Sequence, residues 1–470
     1  MAFLDLPPEI LAIIVRNLDI TELIALEETC RTLHNVVRDH GWLAYALQHP
    51  RFSLLSIDQA LSSWSPREQT KYHYQTDNAW ARSRFSAWPI SNPWRAKLQP
   101  LIASSTSRMV VAAGHTLYTY CFAPHSPEGV SPDVRLECTY SLDTDDITGI
   151  TFVPDGGQDR TLFVGFDTGA LERIVLPLPK QGGPHETILD HSSRTYFAYH
   201  QGQLIEDLSS SQDLLLSFSS EGIASLLNTR SPSLPPQTVE LEGRGWSAYL
   251  SPHSSPYAAF GTTSSTPLAI YSLSESQLPS RPSFVLCPKL EDSFIKSAVY
   301  GITSAPPASP WGASDKIVVS GWYDGHVHVH DLRSSHRSSS VSGVDQLSPV
   351  LSMYDPWSFE PIYTVACGGG SSAHVAAGSA RHSVVTFWDM RAPKLGWSVH
   401  APGNDISPVY SLVLGSSRVF GATQSRVFAY DFGPGVTDDT YPRTDVQLRR
   451  NKKRPGYYVT KYGHKSAHVP

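Results

Sequence analysis

The first fifty residues carry apolar positions at helical spacing. Pro8 suits the first turn of a helix, where a missing backbone N–H costs no hydrogen bond. The apolar residues that follow recur three and four positions apart, as on one side of an amphipathic helix: Ile10, Leu11, Ile14, Val15 and Leu18. Asp19 with Glu22 predicts a capping box that opens a second helix. A third helix through Leu33 is expected to end near Gly41, a typical C-terminal glycine.

The same stretch resembles an F-box. Its Leu6-Pro7 entry, Ile10-Leu11 pair, Cys30-Arg31 step and closing Trp42 follow the pattern of that family. Such modules dock on the Skp-type adaptor of SCF (cullin–RING) ubiquitin ligases. The resemblance implies that the adaptor-binding residues here are Leu6, Pro7, Ile10, Leu11, Ile14 and Leu18. Three short helices cannot bury this much aliphatic surface alone. The alternative is an ordinary helical subdomain packed on the chain's own core.

A β-rich hairpin pattern recurs seven times from about residue 100 onward. The segments are Met109–Phe122, Leu162–Leu176, Leu214–Arg230, Tyr257–Leu273, Lys316–Arg333, His374–Arg391 and Arg418–Gly433. Aligned positions within them are 51, 53, 43, 60, 57 and 43 residues apart. Repeats of about 40–45 residues that end in Trp-Asp are typical of WD-type propeller blades. Proline- and serine-rich insertions account for the longer steps.

The predicted fold is therefore mainly β with a small α-helical N-terminal module. It is a three-helix F-box followed by a seven-bladed propeller that resembles WD-repeat proteins, although only Trp388-Asp389 is a literal Trp-Asp pair. The runs Ile147–Val153 and Pro361–Cys367 are expected to be flanking strands of their blades. A pair of β-sandwiches is the alternative, but near-even hairpin spacing favours radial repetition.

Four regions follow from these patterns. They are the F-box (1–48), a helical and aromatic connector (49–98), the propeller (99–445) and a basic tail (446–470). Within the connector, Leu54–Ser65 predicts a short helix, and a dense aromatic run predicts a packed segment rather than a flexible tether. We expect Trp80–Ile90 to pair into the last blade and close the ring, with Tyr457–Tyr462 as the competing segment.

Composition limits the function classes. A net charge of −6 indicates no general polyanion binder, and nucleic acid is not an expected partner. Five cysteines without a CxxC pair favour reduced thiols inside the cell, in the cytoplasm or nucleus. No signal peptide or membrane-spanning run is visible, so no membrane partner is expected. The cluster Arg449–Pro455 is typical of a nuclear-import signal, an anion contact or a solvated terminus.

Candidate catalytic or metal-binding groups are few. His326, His328 and His330 alternate along one strand and could place three imidazoles on one side, but a blade surface is the preferred interpretation. Cys367–Ser372 is rich in glycine without the Lys-Ser/Thr ending of a phosphate loop, which favours a turn between strands. We therefore expect no enzyme activity, no cofactor and no metal.

The leading hypothesis is a substrate receptor of an SCF ubiquitin ligase. The F-box would bind the Skp-type adaptor, and through it a cullin, while the propeller would hold a target protein of unknown identity. The resemblance to F-box propellers also implies that arginines at the ring mouth can recognise a phosphorylated target. The arginines that end or follow hairpin strands are Arg173, Arg230, Arg333 and Arg391. A propeller scaffold without ligase function is the alternative.

Overall fold

The structure is a computed structural model with α-helices at the N-terminus and β-strands in most of the remainder. It describes residues 6–49, 51, 61, 63–94, 99–123, 128–142, 145–178, 186–200, 202–231, 234–252, 256–288, 296–334, 337–339, 344–403, 405–445 and 456–464. The helical elements are α1 Pro8–Val15, α2 Ile20–Glu27, α3 Arg31–Val36, a π-helical turn Val37–Gly41, α4 Trp42–Gln48, α5 Pro66–Ala81 and a 3-10 turn His191–Ser193. No helix among the described residues is long and apolar enough to span a membrane.

Helices α1 to α4 form a small module with its own core. Pro8 stands in the first turn of α1, as predicted. The capping box is also confirmed, since the Asp19 carboxylate accepts a hydrogen bond from the Glu22 N–H while the Glu22 carboxylate accepts from the Asp19 N–H. The fully or almost fully buried side chains at the centre of the module are Val15, Leu23, Val37 and Trp42.

The predicted helix end at Gly41 is wrong. Gly41 has φ −73°, so the chain continues in a helical conformation from α3 through the π turn into α4. A β-carbon at Gly41 would lie 2.7 Å from a Val15 methyl and 2.8 Å from a Leu23 methyl. Glycine is therefore required here for close helix packing and not for a left-handed turn.

The strands supply the rest of the fold. The first sixteen are β1 Ser86–Pro89, β2 Leu101–Ser104, β3 Arg108–Ala113, β4 Thr116–Phe122, β5 Val134–Ser141, β6 Ile147–Phe152, β7 Thr161–Phe166, β8 Leu171–Val175, β9 Glu186–Ile188, β10 Arg194–Phe197, β11 Ile205–Ser211, β12 Leu214–Ser219, β13 Ile223–Asn228, β14 Gln237–Glu240, β15 Arg244–Leu250 and β16 Tyr257–Ser264. The others are β17 Leu268–Ser272, β18 Phe284–Leu286, β19 Ser297–Ser304, β20 Ile317–Trp322, β21 His326–Asp331, β22 Arg337–Ser339, β23 Asp345–Leu347, β24 Leu351–Tyr354, β25 Ile362–Gly368, β26 His374–Ser379, β27 Val384–Asp389, β28 Trp397–His400, β29 Val409–Leu414, β30 Arg418–Thr423, β31 Val427–Asp431 and β32 Lys461–Gly463.

The described strands pair into seven four-stranded antiparallel units, which we call blades. In order from the channel outward, blade 1 is β2-β3-β4-β5, blade 2 is β6-β7-β8-β10, blade 3 is β11-β12-β13-β14, blade 4 is β15-β16-β17-β18, blade 5 is β19-β20-β21-β24, blade 6 is β25-β26-β27-β28 and blade 7 is β29-β30-β31-β1. The first strand of each blade contacts the first strand of the next, and β29 contacts β2. The strands thus form a closed propeller ring.

Segments distant in sequence complete the outer edges. Residues 86–89, from the predicted closing segment, pair with β31. Trp80, at the start of that segment, instead lies in the last turn of helix α5. The competing C-terminal segment is also used: Tyr457 bridges to Ala87, and β32 pairs with β28 of blade 6. Strand β9 adds in parallel to blade 1, and the β22–β23 hairpin adds to blade 4. Segments from before the first blade and after the last blade thus pair with blades 7 and 6 and cover their outer edges.

The packing of the blades explains the sequence pattern. Second strands such as β7, β20 and β30 are buried at every position, because each lies between two neighbouring blades. They read as continuous apolar runs rather than as alternating ones. The predicted flanking strands at Ile147 and Ile362 are confirmed as the first strands of blades 2 and 6.

The ring has two distinct faces, which we name by their contacts. Turns between first and second strands, such as Ser416-Ser417 between β29 and β30, lie on the face that contacts α5. We call this the connector face. First strands begin, and second strands end, on the opposite face, which we call the distal face.

Candidate functional surfaces

Helix α1 divides the predicted adaptor-binding residues into two groups. Pro7 and Ile10 are exposed, Ile10 to 42%, while Leu6 and Ile14 are half-buried. Leu11 is 3% exposed, and Leu18 packs against the module core. The predicted single stripe is therefore two: one side of α1 stabilises the module, and the other remains available.

Further exposed apolar residues lie on the same module. Among the described residues they are Ile13, Ile24, Leu43 and Leu47, with exposed fractions between 41% and 72%. The family pattern did not include them as docking positions. The sequence spacing could have indicated this second exposed surface, because Leu43 and Leu47 are four residues apart on α4 and share one helix face.

Helix α5 is the physical link between the module and the ring. Arg51 donates two hydrogen bonds to the Asp77 carboxylate, at 2.7 and 2.5 Å, and Arg67 pairs with Glu27 at 3.1 Å. Ser65 caps the helix by accepting from the Glu68 N–H. These contacts attach α2 and the segment after α4 to one long helix.

The predicted packed aromatic connector is confirmed by the burial of its rings. Trp80 is 2% exposed and stacks on Phe432 at 3.7 Å, with its indole N–H donating to the Ser416 carbonyl at 2.9 Å. The Gly369-Gly370 turn, with φ of +68° and +55°, lies directly against the indole. The glycine-rich Cys367–Ser372 segment therefore ends β25 and forms the predicted turn toward β26, and α5 packs on this turn.

A buried ionic network lies beside this contact. The Arg418 guanidinium donates to the Asp431 carboxylate at 2.8 Å, and both side chains are at most 1% exposed. Tyr441 also donates to Asp431, at 2.6 Å. Tyr72 of α5 donates to the Ser417 hydroxyl at 3.0 Å. Helix α5 is thus fixed to blade 7 by a hydrogen bond between buried side chains.

The distal face carries a repeated feature of a different kind. Near the start of the first strand, six blades have a β-bulge in which one extra residue is inserted. These residues are Thr148, Glu206, Trp246, Tyr300, Tyr363 and Tyr410. Bulges re-aim a side chain and are common beside binding sites.

Sequence reasoning missed these bulges, although a short repeat marks them. The repeat has four positions. An aliphatic or small residue comes first, the bulge residue second, a small or polar residue third and an apolar residue fourth. The six instances are ITGI, IEDL, GWSA, VYGI, IYTV and VYSL. The residue after the bulge can join neighbouring blades: Asp207 accepts from the Ala248 N–H at 2.8 Å, and Ser411 accepts from the Ile102 N–H at 3.2 Å.

Four successive bulges form a chain of rings that we call the aromatic arc. Its members are Trp246, Tyr300, Tyr363 and Tyr410, with successive ring centroids 4.9, 5.0 and 6.1 Å apart. All four are half-buried and line a cavity of about 560 Å³ in the channel. The Arg244 guanidinium lies 4.1 Å from the Trp246 centroid and pairs with Glu206 at 3.1 Å. The cavity therefore already holds one cation over an aromatic face.

Two carboxyl groups border the arc, and burial dominates their titration. Desolvation raises the pKa of Glu206 to about 7, although the Arg244 charge and hydrogen bond oppose this. Desolvation likewise raises the pKa of Asp207 to about 7, against hydrogen bonds from the Ala248 and Leu208 amides. The positive charge available around Glu206 is thus insufficient to offset its burial.

The arginines considered from the sequence lie elsewhere. Arg333 and Arg391 follow third strands, at the connector-face end, and each pairs with the aspartate two residues before it. Arg230 pairs with Asp213, and Arg173 is exposed on β8 of blade 2. Among the described residues that line the channel cavity, Arg244 is the sole arginine or lysine.

The histidine strand has the predicted geometry. His326 and His328 stack with centroids 5.5 Å apart, and His330 follows at 6.1 Å on the same side of β21. His328 contacts the Ser352 hydroxyl and His330 the Cys287 carbonyl. Within the described part of the chain, no group of three His, Cys, Asp or Glu side chains is arranged to hold a metal ion.

Comparisons with known proteins give one family match and structural similarity to solved β-propeller structures. Residues 3–43 match the F-box domain family. A solved structure titled "Crystal Structure of Mitotic Checkpoint Complex" is similar over 73% of this chain and 93% of that chain, with a TM-score of 0.50 and 13% identity. The WD40 β-propeller domain of Doa1 aligns with 76% of this chain and 100% of its own, with a TM-score of 0.49 and 11% identity. No curated protein matches the chain in sequence.

The fold is a β-propeller preceded by a helical module. That module is an F-box domain, as its sequence pattern predicted. F-box and WD40 propeller families are generally non-catalytic, and F-box domains generally bind Skp1-type adaptors. The combination is the one expected of an F-box adaptor protein.

Proposed function

We propose that this protein is the substrate-recognition subunit of an SCF-type ubiquitin ligase. Its F-box domain docks on the Skp-type adaptor, which connects it to a cullin, and its propeller binds the target protein. The observation that carries the proposal is the F-box domain at residues 3–43 with Pro7 and Ile10 exposed on it. Exposed aliphatic side chains on so small a module are suited to a protein interface.

The connection between module and ring supports this role. Ubiquitin transfer requires the target to be held at a set distance from the ligase core. Helix α5 is fixed to the module through Arg67, which pairs with Glu27 of α2, and to blades 6 and 7 through Trp80 and Tyr72. The distal channel mouth lies on the face opposite this attachment, so that a bound adaptor would leave it accessible.

The docking assignment is tested by the double variant Leu6→Ala/Pro7→Ala. A few buried anchors dominate most interfaces, each contributing about 2–4 kcal/mol, so the double variant is expected to lose adaptor and cullin on affinity purification. Leu395→Ala, at a propeller residue that is 52% exposed, is the matched control and should retain both partners. Circular dichroism would verify that the propeller remains folded.

Retention of the adaptor by the double variant would contradict the docking assignment. Recovery of the adaptor without any cullin from the wild-type protein would favour the scaffold alternative instead. The two results are distinguishable in one quantitative mass-spectrometry experiment.

A further inference from the structure

The channel mouth combines aromatic faces with carboxylates rather than with a basic cluster. Beside the aromatic arc lie Glu206 and Asp207, whereas Arg244 is the single cationic residue on the described cavity wall. Arg244 is already paired with Glu206 at 3.1 Å. A phosphate group would therefore meet one occupied arginine and two nearby carboxyl groups, which is an unfavourable site for an anion.

The position of Arg244 indicates what the site can hold. Its side chain is 48% exposed, yet its guanidinium lies over Trp246 and against the 4%-exposed side chain of Glu206. It thus makes both contacts that an incoming cation would make: an aromatic face and a buried carboxylate. Arg244 lies over Trp246 alone, whereas the aromatic arc continues through the rings of Tyr300, Tyr363 and Tyr410.

We propose that the distal channel mouth binds an arginine or lysine side chain of the target protein, held between the aromatic arc and Glu206. Arg244 occupies part of this site in the free protein and moves aside when the target enters. The cavity of about 560 Å³ is large enough for one extended side chain and its flanking backbone. The proposal rests on the proposed function only in naming the ligand as a target protein.

Two substitutions distinguish a cationic from an anionic ligand because they act in opposite directions. Glu206→Gln removes the carboxylate, so it should weaken a cationic ligand at least tenfold. Arg244→Ala removes the internal competitor, so it should strengthen a cationic ligand severalfold. An anionic ligand would show the reverse for both variants. Tyr363→Phe keeps the ring face and should bind normally, while Tyr363→Ala should weaken binding.

The experiment begins with selection from a random nonapeptide library on the full-length protein. A parallel library with a fixed phosphoserine is used under the same conditions. Selected peptides are then titrated calorimetrically, with citrulline replacing arginine or norleucine replacing lysine as neutral isosteres. The expected result is enrichment of a basic residue whose neutral replacement lowers affinity at least tenfold.

Enrichment of phosphoserine or acidic peptides would overturn the proposal, as would the absence of any enrichment that depends on Glu206. The same titration on the Leu6→Ala/Pro7→Ala variant separates this site from the F-box. If that variant binds the peptide but the wild type never binds adaptor, the ligase function fails while the cation site stands. If the adaptor binds but no basic peptide does, the cation site fails while the ligase function stands.

Discussion

The two faces of the propeller use the same chemistry to different ends. On the connector face, Arg418, Asp431 and Tyr441 form an ion pair and an aromatic contact with almost no exposure. On the distal face, Arg244, Glu206 and Trp246 make the same kinds of contact. The two networks differ in how well their carboxylates are stabilised. Asp431 accepts hydrogen bonds from several donors, whereas Arg244 does not offset the cost of burying the Glu206 carboxylate.

Burial and the saturation of hydrogen bonds, rather than residue type, therefore separate a structural network from a candidate binding site. A saturated buried pair has nothing left to offer a ligand, and breaking it leaves an isolated charge. In the distal pair only Arg244 is substantially exposed, at 48%, so its guanidinium can move toward solvent while Glu206 stays buried. The connector face therefore holds the F-box domain in place, whereas the proposed cation site lies on the distal face.

The largest expected effect is on the connector face. Arg418→Ala leaves the Asp431 carboxylate buried without its cation, so we expect the free energy of unfolding to fall by about 3–5 kcal/mol. The control is Arg391→Ala, which breaks a pair whose arginine is 54% exposed and should cost at most about 1 kcal/mol. Urea denaturation measures both, and equal losses would contradict the distinction.

A smaller effect is expected where α5 meets the Gly369 turn. Gly369→Ala would place a methyl group 2.9 Å from the Trp80 indole at φ +68°, and we expect about 2–4 kcal/mol of destabilisation. Gly156→Ala is the matched control, since it has φ +77° but no atom within 4 Å; its backbone cost alone should be about 1–2 kcal/mol.

Hydrogen exchange shows in which part of the structure each variant loses stability. The Gly369 variant should expose the amides of α5 to exchange, whereas the Gly156 variant should leave α5 protected. Equal protection of α5 in both variants would show that the indole contact does not hold the helix.

The third prediction concerns pH and the distal face. The pKa of Glu206 rises from 4.5 to about 7 on folding, so its protonated form contributes stability that is present below pH 4.5 and lost as pH rises through 7. The slope is roughly 1.4 kcal/mol per pH unit for one group in that window. The raised pKa of Asp207 contributes a pH dependence of the same sign.

Glu206→Gln should therefore flatten the pH dependence of unfolding between pH 4.5 and 7 relative to the wild type. Chemical denaturation at several pH values within this range measures it. Parallel curves for the two proteins would indicate that Glu206 ionises as freely as an exposed side chain.

Much of the fold could be predicted from local pattern. The start of α1, the Asp19 capping box and the propeller hairpins follow from residues close in sequence. The Gly41 error arose because a glycine that permits close packing looks the same in sequence as one that ends a helix. The proposed helix at Leu54–Ser65 and the basic cluster Arg449–Pro455 lie largely or wholly outside the described residues.

Helix α5 and the bulges were missed for different reasons. Tyr72, Thr76 and Trp80 are spaced four residues apart and buried, but polar residues between them hide this pattern. Four of the bulge residues are half-buried and two, Thr148 and Glu206, are buried, and their common position is reached only when strands far apart in sequence come together. The adaptor-binding set remains a prediction, with Leu11 and Leu18 placed on the inner side of the module.

The most direct test measures both surfaces at once. Full-length protein, Skp-type adaptor and a selected basic peptide carrying a fluorophore would be combined and followed by sedimentation velocity. Opposite faces predict a 1:1:1 complex in which adaptor and peptide bind with unchanged affinities in each other's presence. Displacement of the peptide by the adaptor, or failure of the two to bind together, would contradict a receptor with separate docking and target-binding surfaces.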